Sequence, residues 1–175
     1  MTDNSRQYHF FWSGPFSQWH RSSFEHAGQC FETAEQAMMF EKAKLFGDHK
    51  IAGLILAESE PGRQKALGRR VAGFNETVWD QNKTRIVTEI SLSKFGQNKG
   101  LRRKLFQTHP KALAEASPMD VIWGIGLDAD AARETPKDLW PGQNLLGQIL
   151  TEIRGKLAAG FPEEAKACAH EQKEE

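Results

Sequence analysis

The segment Thr33 to Phe46, TAEQAMMFEKAKLF, constrains the chain more than any other, because its charges fall where an ordinary surface helix has none. At about 100° per residue, Ala34, Met38, Met39, Ala43, Leu45 and Phe46 fill one half-circle, with Glu35 and Lys42 at its centre. Gln36, Glu41 and Lys44 hold the other half. Charge normally lies opposite an apolar stripe, so this carboxylate and ammonium belong at the edge of a core, where they must be paired or face a polar pocket. Seven residues separate them, about 10.5 Å along the axis, a span that suits one ligand better than one salt bridge. Thr33 and Gln36 read as a T-x-x-Q capping box, which puts Glu35 in the first turn, where the helix dipole favours a carboxylate. An interfacial ion pair, or a helix covered on both faces, accounts for the pattern equally well.

The chain of 175 residues is expected to form one domain with a real core, over residues 1–160, followed by a polar, frayed tail over 161–175. Its 23 basic and 23 acidic residues cancel, so bulk charge gives no reason for non-specific binding to nucleic acid or to a membrane. Cys30 and Cys168 show neither zinc nor disulfide spacing, and with no leader or membrane-length apolar run the expected setting is cytoplasmic.

In chain order, Tyr8 to Trp12 reads as a strand, Ser22 to Glu25 and Cys30 to Phe31 as two strands joined by a turn at His26 to Gln29, and Gly47 as the close of the central helix. Asp48 caps a second helix, and Pro61-Gly62 marks a break. Arg63, Lys65, Arg69 and Arg70 cluster before Trp79, as a solvated face or a phosphate clamp. Asn82 is expected to cap a helix running to Phe95, Ala112 to Ala116 to be helical, Val121 to Trp123 to be a buried strand, and Leu145 to Leu157 to be the last helix. Lys94, Lys99, Arg102, Arg103 and Lys104 make the most basic stretch, expected on a solvated face.

Several chemistries are excluded. The six histidines lack H-E-x-x-H or other ligand spacing, and neither a phosphate-binding G-x-x-x-x-G-K-[ST] loop nor a G-x-S-x-G elbow is present. Cys30 reads as a small buried thiol. No metal or cofactor is called for. Carboxylates, aromatics and scattered cations remain, an inventory that suits hydrolysis of a glycosidic bond and simple nucleotide binding alike.

Seven pieces in series resemble the YbiA-like, or NADAR domain, family: Phe16-Ser17-x-Trp19, Thr33-x-Glu35-Gln36-x-Met38-Met39-x-x-Lys42-Ala43, Phe46-Gly47-Asp48, Gly68-Arg69-x-Val71 with Trp79, Lys94-Phe95-x-Gln97-Asn98, Glu115-Ala116-Ser117-Pro118-x-Asp120-x-x-Trp123-Gly124-Ile125-Gly126, and Trp140-x-Gly142-x-Asn144-Leu145-Leu146-Gly147. The resemblance implies an α+β fold, mainly helical, a single domain with a few short strands. It implies an N-glycosidase acting on ribosylaminopyrimidine phosphates of riboflavin biosynthesis, whose removal limits a reactive metabolite. Some members instead remove ADP-ribose from modified guanine in nucleic acid. A non-hydrolytic reader of ADP-ribose or nucleotide is a further alternative.

Glu35 matches the family's glutamate, which makes it the first choice for the catalytic carboxylate, with Asp120 as partner. Lys42 and Arg69 are expected on ribose or phosphate oxygens, Trp79, Trp123 and Trp19 around the base, and Asn98 donating to the sugar. Gln18, Gln36 and Met39 depart from the common pattern, which bears on substrate choice more than on reaction type.

Overall fold

A computed structural model of the chain describes residues 4–171. The fold is α+β and mainly helical, and it divides into two compact units, Gln18–Asn98 and the described residues of Met1–Ser17 with Lys99–Glu175.

In the Gln18–Asn98 unit, β2 (Phe24–His26) and β3 (Gln29–Phe31) form an antiparallel hairpin. Ala27 and Gly28 both take positive φ, the backbone a two-residue turn demands. The helix α1 (Ala34–Leu45) starts at Thr33, whose side chain accepts from Gln36 N at 3.1 Å. Only that half of the expected capping box forms. The Gln36 oxygen accepts from Glu32 N at 2.9 Å, and its nitrogen is shared among the carbonyls of Ile55, Leu56 and Glu58.

Gln36 thereby ties α1 to the end of α2 (His49–Ala57), which Asp48 caps through Ile51 N. Fully buried Gln64, on α3 (Pro61–Gly68), completes the junction by accepting from the Thr33 hydroxyl and donating to Glu58 O. Pro61 is the first residue of α3, so the expected break falls between α2 and α3. A Cβ on Gly68 would lie 2.0 Å from Met39 Sδ, so glycine lets α3 seat on α1. With α2, α3 and α4 (Glu76–Gln97) all against it, α1 is covered on most of its circumference.

The cap of α4 lies seven residues ahead of Asn82. Asn75 supplies the same cap chemistry, accepting from Val78 N, while the Asn82 side chain donates to Val78 O from inside the helix. At the far end the Gln97 amide pairs with both backbone groups of Glu25, extending the hairpin edge.

In the other unit, β1 (Tyr8–Phe11) pairs in parallel with β4 (Ala112–Glu115). The latter is the segment expected to be helical. Its alanine-rich composition favours a helix, but side chains of α7 (Leu145–Gly160) and its cap satisfy the edge that β1 leaves open. Thr151 accepts from Leu113 N, and Asn144 both accepts from Glu115 N and donates to Leu113 O. A Cβ on Gly147 would lie 2.3 Å from Leu113 O, so the helix needs glycine there.

Val121 to Trp123 is not a buried strand. It is an irregular, largely exposed loop whose carbonyls, with that of Gly124, accept from the amides of residues 143–146 at the start of α7. Over residues 162–171 the expected frayed tail is replaced by α8 (Pro162–Glu171), which inserts Cys168 into the core, and residues 172–175 of that tail lie outside the described residues. Glu164 of α8 receives two hydrogen bonds from Arg102 of α5 (Lys99–Phe106), at 2.9 and 3.0 Å. A short helix, α6 (Ala129–Glu134), precedes α7. Among the described residues no helix is long and apolar enough to cross a membrane.

Two solvation expectations are also corrected. Cys30 is exposed on the hairpin, and Cys168 is the buried thiol. Within the basic stretch, Lys94 and Arg102 are buried, so it is not a uniformly solvated face.

Candidate active site

Glu35 sits in the first turn of α1 and is 3% exposed. Its backbone N–H donates to Gln18 O at 2.9 Å, which holds the Gln18-Trp19 turn on the helix N-terminus. Gln18 also donates to Met38 Sδ at 3.8 Å. Two turns along α1, Lys42 is half-buried, and its ammonium lies 4.5 Å from the ring centre of Phe74 and 5.6 Å from that of Trp79. Burial pushes the Lys42 pKa down, the Glu35 charge opposes that shift, and the Arg69 guanidinium adds to it. Glu35, Lys42, Arg69 and Trp79 therefore form one neighbourhood on α1, the α3–α4 connection and the first turn of α4.

Phe74 was not expected from the sequence. It follows Gly73, whose φ of 70° turns the chain, and it has no periodic pattern to mark it. The one usable signal is its place between Arg69 and Trp79, both already singled out. The connection is anchored by Val71, which is buried, and by Asp48, whose second carboxylate oxygen accepts from Ala72 N at 2.9 Å. That hydrogen bond, followed by the one from Ile51 N, holds the Asp48 carboxyl below its ordinary range.

The remaining expected residues take less central places. Trp19 is half exposed and rests near Gly62, at the N-terminal end of α3, whereas Arg69 follows its C-terminal end. Asn98 donates to Ser23 O and Lys94 O, so both protons that would serve a sugar are engaged by backbone. Asp120 and Trp123 belong to the other unit. There one Asp120 oxygen accepts from Ile122 N and Trp123 N, fixing the loop that leads to α7. Met39 packs on Gly68 and Gln36 holds α2, so two of the residues at which the chain departs from the common pattern have structural tasks. A separate concavity of about 350 Å³, lined by Ser23, Cys30, Glu32, Leu56 and Ser59 among others, includes none of the expected site residues.

Comparison with known proteins bears on what this arrangement does. The chain is 47% identical over 144 residues to N-glycosidase R617 of Acanthamoeba polyphaga mimivirus, covering 79% of this chain and 85% of that protein. It is 30% identical over 115 residues to the chloroplastic riboflavin biosynthesis protein PYRR of Zea mays, covering 63% of this chain but 16% of that much longer protein. The NMR structure of the E. coli protein YbiA superposes with a TM-score of 0.73 at 26% identity, over 93% of this chain and 90% of that one. The model of the NADAR domain matches residues 10–158, which take in Glu35, Lys42, Arg69 and Trp79 together with parts of both units, and the chain belongs to the NADAR domain family.

Proposed function

We propose that this chain is an N-glycosidase that hydrolyses ribosylaminopyrimidine phosphates of riboflavin biosynthesis and releases ribose 5-phosphate. The observation that carries the reading is the coupling of buried Glu35 to a desolvated Lys42 beside two aromatic rings and Arg69. An N-glycosidic bond breaks through a transition state in which the anomeric carbon gains oxocarbenium character. The Glu35 carboxylate stabilises that charge or orients the attacking water, water oxygen bonds to the anomeric carbon, and the base leaves with the bonding pair and a proton. Lys42 and Arg69 hold phosphate or ribose oxygens, and Trp79 shapes the base side.

Trp19 and Asn98 are proposed as supporting residues, and Asp120 and Trp123 as residues that set the loop ahead of α7 in their own unit. With its amide protons engaged, Asn98 offers a substrate its carbonyl oxygen rather than a donor. The names of the mimivirus and maize relatives support the bond type and the metabolic setting respectively.

Removal of ADP-ribose from modified guanine in nucleic acid is the competing reaction. It would draw on a basic surface to track the phosphate backbone, and two of the five cations of the 94–104 stretch are buried instead, Arg102 against Glu164. That favours the small metabolite. The deciding experiment presents both substrates to the purified protein and quantifies released ribose 5-phosphate and ADP-ribose. Faster release from the modified DNA would replace the riboflavin reading, and ligand binding without product would replace both reactions by a nucleotide-binding role.

A further inference from the structure

The motif Phe46-Gly47-Asp48 carries no chemistry of its own in the reaction above, yet two of its side chains reach one short segment. Asp48 divides its carboxylate, one oxygen capping α2 through Ile51 N at 3.0 Å and the other accepting from Ala72 N at 2.9 Å. The Phe46 ring meets the Phe74 ring at 5.3 Å in an edge-on arrangement. Between these contacts Gly73 adopts φ of 70°, a conformation that favours glycine. The segment from Arg69 to Phe74 is thus fixed at Val71, at Ala72 and at Phe74 itself.

Phe74 is nevertheless 46% exposed, with the Lys42 ammonium 4.5 Å from the centre of its ring. Packing alone does not require a ring that is pinned to Phe46 and still open to solvent beside a cation. A flat heterocycle attached to a phosphorylated sugar accounts for it, because the ring offers a stacking face beside the Lys42 ammonium.

We propose that Phe74 is the stacking face for the substrate's base and that Asp48, acting through the Ala72 amide, is the positioning residue that sets it. This rests on the N-glycosidase reading and deepens it by assigning the base subsite. Stacking on an aromatic side chain discriminates between a nucleotide and its sugar phosphate, which a purely structural Phe74 would not do.

The test uses the Glu35→Gln protein, so that binding is read without turnover, with two probes, the ribosylaminopyrimidine phosphate and ribose 5-phosphate. Phe74→Ala in this background is expected to weaken the nucleotide about tenfold and leave ribose 5-phosphate unchanged, with Phe74→Trp restoring the nucleotide. Asp48→Asn keeps one carbonyl acceptor for two amides and is expected to weaken the nucleotide about threefold, again without affecting the sugar phosphate.

Equal loss for both probes, no loss for either, or a Glu35→Gln protein that fails to bind the nucleotide overturns the assignment. Turnover by the otherwise wild-type chain separates the two claims. A ring-dependent loss of binding in a protein that releases no ribose 5-phosphate sinks the reaction and keeps the subsite. Normal release with unchanged Phe74→Ala binding does the reverse.

Discussion

Arg102 with Glu164 and Glu35 with Lys42 each bring a cation and a carboxylate into largely buried surroundings, and they come to opposite ends. Arg102 is 5% exposed, lies 3.7 Å over the Phe161 ring and donates two hydrogen bonds to Glu164. The Glu164 carboxyl is accordingly held below its usual range, with the Arg102 hydrogen bond as the leading cause. Lys42 moves against its partner: Glu35 favours the ammonium, but burial outweighs it and Arg69 adds to the loss. One pair is satisfied within the fold and stitches α5 to α8. In the other, burial works against the Lys42 ammonium, and perturbed ionisation of that kind gathers at functional sites.

The sharpest way to break this contrast is Glu35→Gln, which keeps shape and removes charge. It is expected to cut kcat/KM for ribose 5-phosphate release by about a thousandfold or more while moving the melting temperature by less than about 3 °C. Turnover within tenfold of wild type would return Glu35 to the structural class of Glu164.

Next in size come two changes at Lys42. Lys42→Met is expected to lower kcat/KM about a hundredfold and Lys42→Arg about tenfold, chiefly through KM, if the residue acts as a cation on substrate oxygens. An arginine variant as poor as the methionine one would show that the reaction needs an amine there rather than a charge. Arg102→Leu supplies the other half of the comparison. Its melting temperature should fall by about 5 °C, because Glu164 is left beside an apolar side chain, with kcat/KM at a permissive temperature within about twofold of wild type.

The two halves also differed in how far they could be read from sequence. Local chemistry was legible: Thr33 and Asp48 cap their helices through their own side chains, and Glu35 and Lys42, set by helical spacing among apolar neighbours, lie buried and half-buried on α1. What failed depended on partners distant in the chain. Ala112–Glu115 is helical by propensity and becomes a strand because β1, Asn144 and Thr151 satisfy its backbone. Polar residues 162–171 fold as α8, held by Arg102 some sixty positions earlier. Phe74 escaped notice because a loop aromatic gains its meaning from Phe46 and Lys42, which no sequence period connects to it.

Lys94 offers a further test, since burial is what shifts its ionisation. It is 1% exposed in α4 with its ammonium 5.2 Å from the Phe95 ring centre, and burial pushes its pKa down to about 7. In the unfolded chain the same amine titrates near its ordinary value of about 10.4. Between those values the unfolded state holds a proton that the folded state has shed, so this residue's contribution to stability rises with pH, by up to about 1.4 kcal/mol per unit. Below about pH 7 both states carry the proton and the cost of burying the charge stands in full. Lys94→Met should therefore stabilise the protein most near pH 6, with the advantage shrinking by about 1 kcal/mol per unit above neutrality. Urea unfolding of both proteins at pH 6, 7.5 and 9 measures that difference, and other titrating groups cancel between them. A difference independent of pH would mean that Lys94 keeps its ammonium throughout, satisfied within the fold as Arg102 is, and that burial by itself does not set these lysines apart.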